Sequence, residues 1–107
     1  MPQWRLIAHP QGLNNRGRHL SLYLAAVGGA AATPFSGWRQ RTLFTLTVVG
    51  EGGASLSRSE AHTFTAEEAQ FGFTCFAARA QLLDPAAGLR RPDGTLLIRA
   101  SCLPTGS

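Results

Sequence analysis

The side chains able to do chemistry in this 107-residue chain are scattered rather than gathered. The three histidines are His9, His19 and His62, and no two of them stand four apart, as a helical metal pair requires. Cys75 and Cys102 are too few for a disulfide framework and lack metal-site spacing. They read as reduced, small apolar residues of a cytosolic or nuclear protein, with Cys75 buried among the phenylalanines around it. No nucleophile elbow frames a serine, and the glycine run Gly50–Gly53 lacks the lysine of a phosphate loop. The sequence therefore offers no catalytic residues, and no metal or cofactor is expected. It does offer aromatics at strand and turn positions: Tyr23, Phe44, Phe71 and Phe73, from three separate segments. Brought together, they would line an apolar groove of the kind that receives an extended peptide. Trp4, Phe64 and Phe76 read instead as core.

The elements that must position these residues start with Leu20-Ser21-Leu22-Tyr23-Leu24. A period of two marks a strand, because successive side chains point to opposite faces. Leu20, Leu22 and Leu24 are expected to face a core; Ser21, Tyr23 and Ala25 are expected to face outward. Before it, Trp4–Ala8 reads as a short strand closed by the turn His9-Pro10-Gln11-Gly12, with a polar loop at Asn14–Arg18. After it, Gly28–Pro34 reads as a flexible connection, and Trp38 as a lid on the core edge. Thr42–Val49 is a strand with bulk on both faces, which suggests cover on both sides. A glycine-rich turn leads to a second strand of the pair within Ala54–Thr65.

The spacing of Phe73, Phe76, Ala80 and Leu83 is that of a helix face, so a short helix is expected there, stopping at Asp84-Pro85. Asp93-Gly94 signals a hairpin turn, Thr95–Ser101 a final strand, and the residues from Cys102 on a loose tail. Short strands punctuated by turns, with one minor helix, argue for an antiparallel sandwich in a single domain spanning residues 1–107.

Composition narrows the function classes. With 44% hydrophobic and 15% charged residues the chain reads as globular. No run reaches the roughly 18 apolar residues that span a bilayer, and the first residues do not begin a signal peptide; no membrane partner is expected. The net charge of +4 comes from arginine alone, since the chain has no lysine. Those arginines are spread along the chain rather than clustered, so nucleic acid is not expected as a partner either.

In this order the motifs resemble the MATH domain (meprin and TRAF-C homology), closest to the form in the speckle-type POZ and MATH-BTB proteins. The matching residues are Trp4-Arg5-Leu6, Pro10-Gln11-Gly12-Leu13, Leu20-Ser21-Leu22-Tyr23-Leu24, Leu43-Phe44-Thr45-Leu46, His62-Thr63-Phe64, Phe71-Gly72-Phe73 with Phe76, Leu82-Leu83 and Asp93-Gly94-Thr95-Leu96. The match runs from Trp4 to about Ser101. The resemblance implies an all-β, antiparallel Greek-key β-sandwich with one short helix. It also implies binding of extended Ser/Thr-containing peptides at a groove lined by Tyr23, Phe44, His62, Phe71 and Phe73, with Gln70 at its polar edge. Cytoplasmic or nuclear substrate recognition for a cullin–BTB ubiquitin ligase, whose components dock through a separate domain, is the activity it suggests. A TRAF-like receptor-docking or oligomerisation domain, or an accessory domain fragment of a ubiquitin-specific protease, is the alternative.

The chain departs from the family pattern in four places. Phe71 stands where the family has tryptophan, Gln70 where it has an acidic residue, and His62 where it often has tyrosine. The strand or strands that usually precede the Trp4 motif are missing, which reads as an N-terminal truncation.

Overall fold

The computed structural model describes residues 3–9, 18–90 and 94–105. The turn expected at Pro10–Gly12 and the loop from Asn14 to Gly17 lie outside these residues, as does Asp93 of the expected hairpin turn. Among the described residues six strands form two three-stranded antiparallel sheets. They are β1 (Gln3–His9), β2 (His19–Val27), β3 (Arg39–Val49), β4 (Ser55–Thr65), β5 (Gln70–Ala78) and β6 (Leu97–Pro104), with one helix, α1 (Arg79–Leu83), after β5. One sheet has the order β1-β2-β5 and the other β4-β3-β6. β5 returns beside β2 and β6 beside β3, each pairing strands three apart in the chain, which is Greek-key connectivity.

The core fills the space between the sheets. Leu20, Leu22 and Leu24 of β2 meet Phe44, Leu46 and Val48 of β3, with Phe64 of β4 and Phe76 of β5; all are at most 1% exposed. Full burial of side chains this large is the main stabilising term, about 1.5–3 kcal/mol for each. Rings meet edge to face: Trp4 lies 5.1 Å from Phe64, and Phe44 lies 6.0 Å from Phe64 and 6.1 Å from Phe73. Trp38 packs against the rim of this cluster, as a lid on the core edge should.

Several expectations are corrected. The three-and-four spacing after Phe73 does not make a helix: β5 continues to Ala78, and only Arg79–Leu83 is helical. A register shift in the β2–β5 pairing between Leu20 and Leu22 is the reason, because a bulge lets Phe73 and Phe76 both reach the core from one strand. The helix does end at Asp84, before Pro85. The connection after β2 contains a 3-10 turn at Gly29–Ala32. The tail is not loose through Pro104: β6 continues to that residue, and the Thr105 N–H donates to Arg41 O at 2.8 Å. β3 is not covered on both sides, since Leu43 is 43% exposed on its outer face.

Tyr23 and Ser21 do lie on the face away from the core but are buried there, contrary to the outward, solvated placement. β2 is the central strand of its sheet, and its neighbours' side chains close over it. Cys75, expected to be buried, is exposed at the bulge.

Candidate functional site

Among the described residues β5 is an edge strand, paired with β2 on one side only. Gln70 pairs with Ala25, Phe71 with Leu24, Gly72 with Tyr23 and Phe73 with Leu22. Just beyond this ladder the Ala26 N–H donates to Ala69 O at 2.8 Å. Antiparallel ladders alternate, so the backbone groups of Phe71 and Phe73 turn toward β2, and those of Gln70 and Gly72 turn toward the open side. The stretch 70–73 is thus a short template for one more strand.

Gly72 is required for the geometry beneath that edge. Its φ is not in the left-handed region, yet a Cβ there would stand 2.2 Å from Leu22 O and 2.6 Å from Tyr23 Cα. Only a residue without a side chain lets β5 approach β2 this closely.

Two rows of side chains flank the edge. On the core side, Phe71 is 37% exposed and stacks on His62 of β4, with ring centroids 4.1 Å apart and planes 5° from parallel. His62 also meets Phe64 edge-on at 4.7 Å, and its Nε2 is buried without a hydrogen-bond partner among the described residues. Phe73 is half-buried between Phe44 and Phe76. On the far side, Tyr23 lies beside Gly72, its hydroxyl 2.8 Å from Thr74 Oγ1, and His9 meets its ring edge-on at 5.9 Å. Ser21 Oγ donates to the Thr74 carbonyl. Past the open stretch, Arg58 of β4 closes the gap: its Nε donates to Phe76 O at 2.7 Å, and its guanidinium carbon lies 5.8 Å from the centre of the Phe76 ring.

The structure therefore brings His62, Phe71 and Phe73 together on one side of the β5 edge, with Gln70 exposed at its start. Tyr23 lies on the other side of the same strand. Phe44 is 1% exposed and belongs to the floor beneath Phe71 and Phe73, so it cannot line an open groove. Alternation decided this: Phe44 shares its face with Leu46 and Val48, the buried face of a strand exposed on the other.

Phe35 escaped the sequence reading. It is 91% exposed with φ 60°, and its N–H donates to Glu67 Oε1 at 3.0 Å, so it stands beside the turn that leads into β5. Its place in a low-pattern connection gave no periodic signal. The glycine and proline punctuation around it marks only a turn.

A two-sheet sandwich with an unpaired edge strand between two rows of aromatic side chains is the form of a protein-interaction module. The family model of the MATH domain matches residues 2–101, and the chain belongs to the MATH domain family. Over 100 residues it is 37% identical to ubiquitin C-terminal hydrolase 13 and 36% identical to ubiquitin C-terminal hydrolase 12, both of Arabidopsis thaliana. These alignments cover 92% of this chain but 8% of each hydrolase, so the likeness is to a MATH region and not to a whole enzyme. A MATH domain and coiled-coil domain-containing protein of the same plant is 35% identical over 74 residues, 67% of this chain and 24% of that protein. The likeness is to the MATH domain as such. The narrower resemblance to the speckle-type POZ form, and the expected N-terminal truncation, do not follow from it.

Proposed function

We propose that this MATH domain binds an extended, Ser/Thr-containing peptide segment as an added strand on the β5 edge. The observation that carries the reading is the stretch Gln70–Phe73, whose side away from β2 is unpaired among the described residues, beside His62, whose buried Nε2 has no hydrogen-bond partner among them. An added strand has a period of two, so its alternate side chains meet the Phe71–His62 row and the Tyr23–Thr74 row in turn. This reconciles a candidate set that sits on both sides of one strand. Gln70 supplies an uncharged amide at the end of the edge. It can accept or donate to a peptide hydroxyl, but more weakly than a carboxylate accepts.

The domain's place in ubiquitin signalling is supported by its hydrolase relatives, which favour an accessory targeting domain over a receptor for a cullin–BTB ligase. In either setting the domain recognises a partner protein, and the chemistry belongs to other parts of the assembly.

Amide NMR of the chain titrated with a Ser/Thr-rich extended peptide tests the site. Peaks of residues 70–73 and His62 are expected to shift. Phe71→Ala is expected to weaken binding about tenfold, the equivalent of ~1.4 kcal/mol, without loss of dispersion. Gln70→Glu is expected to tighten it. Shifts confined to the outer face of β3 and β4, or unchanged affinity in Phe71→Ala, would refute the assignment.

A further inference from the structure

Phe35 is an outlier in its backbone and in its surroundings. The Ser36 N–H donates to Thr33 O at 3.3 Å and closes a β-turn over Thr33–Ser36. Pro34 takes the first central position with proline's fixed negative φ, and Phe35 takes the second with φ 60°. This is a type II turn, whose second central position suits glycine because a Cβ is strained there. Phe35 is the only non-glycine residue at positive φ among the described residues. Packing could offset such strain, but the ring is 91% exposed.

The strained turn is nevertheless fixed from several directions. Ser36 Oγ donates to Ala30 O at 2.8 Å and accepts from the Trp38 N–H at 3.2 Å. Thr33 Oγ1 donates to Gly29 O at 3.0 Å, and Ala31 beneath it is buried. The Phe35 N–H donates to Glu67 Oε1 at 3.0 Å, which ties the turn to residues 66–69 between β4 and β5. Those residues are held in turn: the Thr65 N–H donates to Glu68 O at 3.2 Å, and the Glu68 N–H to Thr65 Oγ1 at 2.9 Å. Backbone strain that the surrounding structure enforces is concentrated at ligand clamps and binding sites.

Its position relative to the peptide edge indicates the ligand. Residues 66–69 lead directly into the stretch Gln70–Phe73. An extended segment paired with β5 and continuing beyond Gln70 leaves the sheet over this turn, at the end where Glu67 holds Phe35. β1 lies on the opposite side of β2 from β5 and does not compete for that space.

We propose that Phe35 is a further peptide contact, which receives an apolar side chain from the part of the bound segment that runs beyond Gln70. The inference rests on the β5-edge reading and gives its ligand a two-part chemistry. A Ser/Thr-containing stretch lies along Gln70–Phe73, and an apolar residue follows on one flank. An aromatic ring fixed before the ligand arrives offers a large contact area at little cost in ordering. The strain also sets opposite signs for stability and affinity: glycine at position 35 relieves the turn and removes the contact.

Fluorescence polarisation with labelled, extended Ser/Thr-rich peptides tests this, each carrying a single Leu or a single Gly at one position flanking the Ser/Thr stretch. The 107-residue chain is expected to bind Leu peptides about fivefold tighter than Gly peptides on one flank only. Phe35→Gly is expected to abolish that preference while raising Tm, and Phe71→Ala to weaken every peptide. In the unsubstituted chain the Phe35 and Glu67 amides are expected to shift with the Leu peptide and to stay in place with the Gly peptide, a readout that needs no variant.

If Phe71→Ala weakens every peptide but Phe35→Gly keeps the Leu preference, the contact is overturned and the edge reading stands. Absence of a Leu preference on either flank, or equal loss of Leu and Gly peptides in Phe35→Gly, likewise overturns the contact. Full affinity in Phe71→Ala, or no binding by any peptide, overturns the edge reading and this inference with it.

Discussion

Replacing Gly72 with alanine separates two accounts of why β5 carries a glycine beside the peptide edge. Gly72 is not in the left-handed region, so alanine suits its backbone conformation. If conformation were the whole matter, the substitution would stabilise the chain by about 0.4–1 kcal/mol through a less flexible unfolded state. The packing predicts the opposite sign. The new Cβ would stand 2.2 Å from Leu22 O and 2.6 Å from Tyr23 Cα, both backbone atoms that no rotamer change can move. Restoring ordinary contact distances requires β5 to shift by about 1 Å against the central strand. That shift strains the ladder and disturbs the packing of Phe71 and Phe73 beneath it. Overpacking of this kind costs about 1–3 kcal/mol, and with the central strand's backbone as the neighbour the upper part of the range is expected. For a domain near 100 residues that is a fall in Tm of roughly 10–20 °C. Thermal unfolding followed by circular dichroism measures it, with Gly53→Ala showing the cost of a left-handed φ of 85° alone, since a Cβ there meets nothing within 4 Å. A Tm for Gly72→Ala equal to or above that of the parent would refute the reasoning.

Other substitutions divide floor from edge. Phe44→Ala empties the centre of the core and is expected to cost about 3–5 kcal/mol, read by chemical denaturation; Phe71→Ala removes a half-exposed ring and its stack on His62, and about 1 kcal/mol is expected. Tyr23→Phe deletes the hydroxyl facing Thr74 Oγ1 and is expected to cost ~1 kcal/mol in the same assay. Phe35→Gly relieves a left-handed backbone at an exposed position and is expected to raise stability by about 1 kcal/mol. Burial raises the Cys102 thiol above its ordinary value of 9.0, so the folded chain keeps a proton that the unfolded chain sheds. Its contribution to stability is constant below about pH 9 and is lost as pH rises through the folded value. Thiol labelling at neutral pH is accordingly expected to modify the exposed Cys75 well before Cys102.

Much of the fold could be read from local pattern. Alternation marked β2 and β3, the proline after Asp84 stopped the helix, and the motif order from Trp4 to Leu96 pointed to the family. Patterns of this kind register in sequence because they reflect each residue's own neighbours along the chain. What a strand's second face meets is not local. Ser21 and Tyr23 have the alternation of a solvated face, and only their position in the middle strand of a three-stranded sheet buries them. Phe44 and Phe71 are both phenylalanines on strands, yet Phe44 is floor because Phe64, Phe71 and Phe73 pack over it, while Phe71 stays 37% exposed. The bulge that turned an apparent helix face at Phe73 and Phe76 into a strand arose from pairing with β2, some fifty residues earlier in the chain. Residue order determined which segments form strands and that their aromatics could gather. The pairing of β5 with β2 and of β6 with β3, which depends on contacts remote in sequence, decided which aromatics are covered and placed the stretch 70–73 on an outer strand.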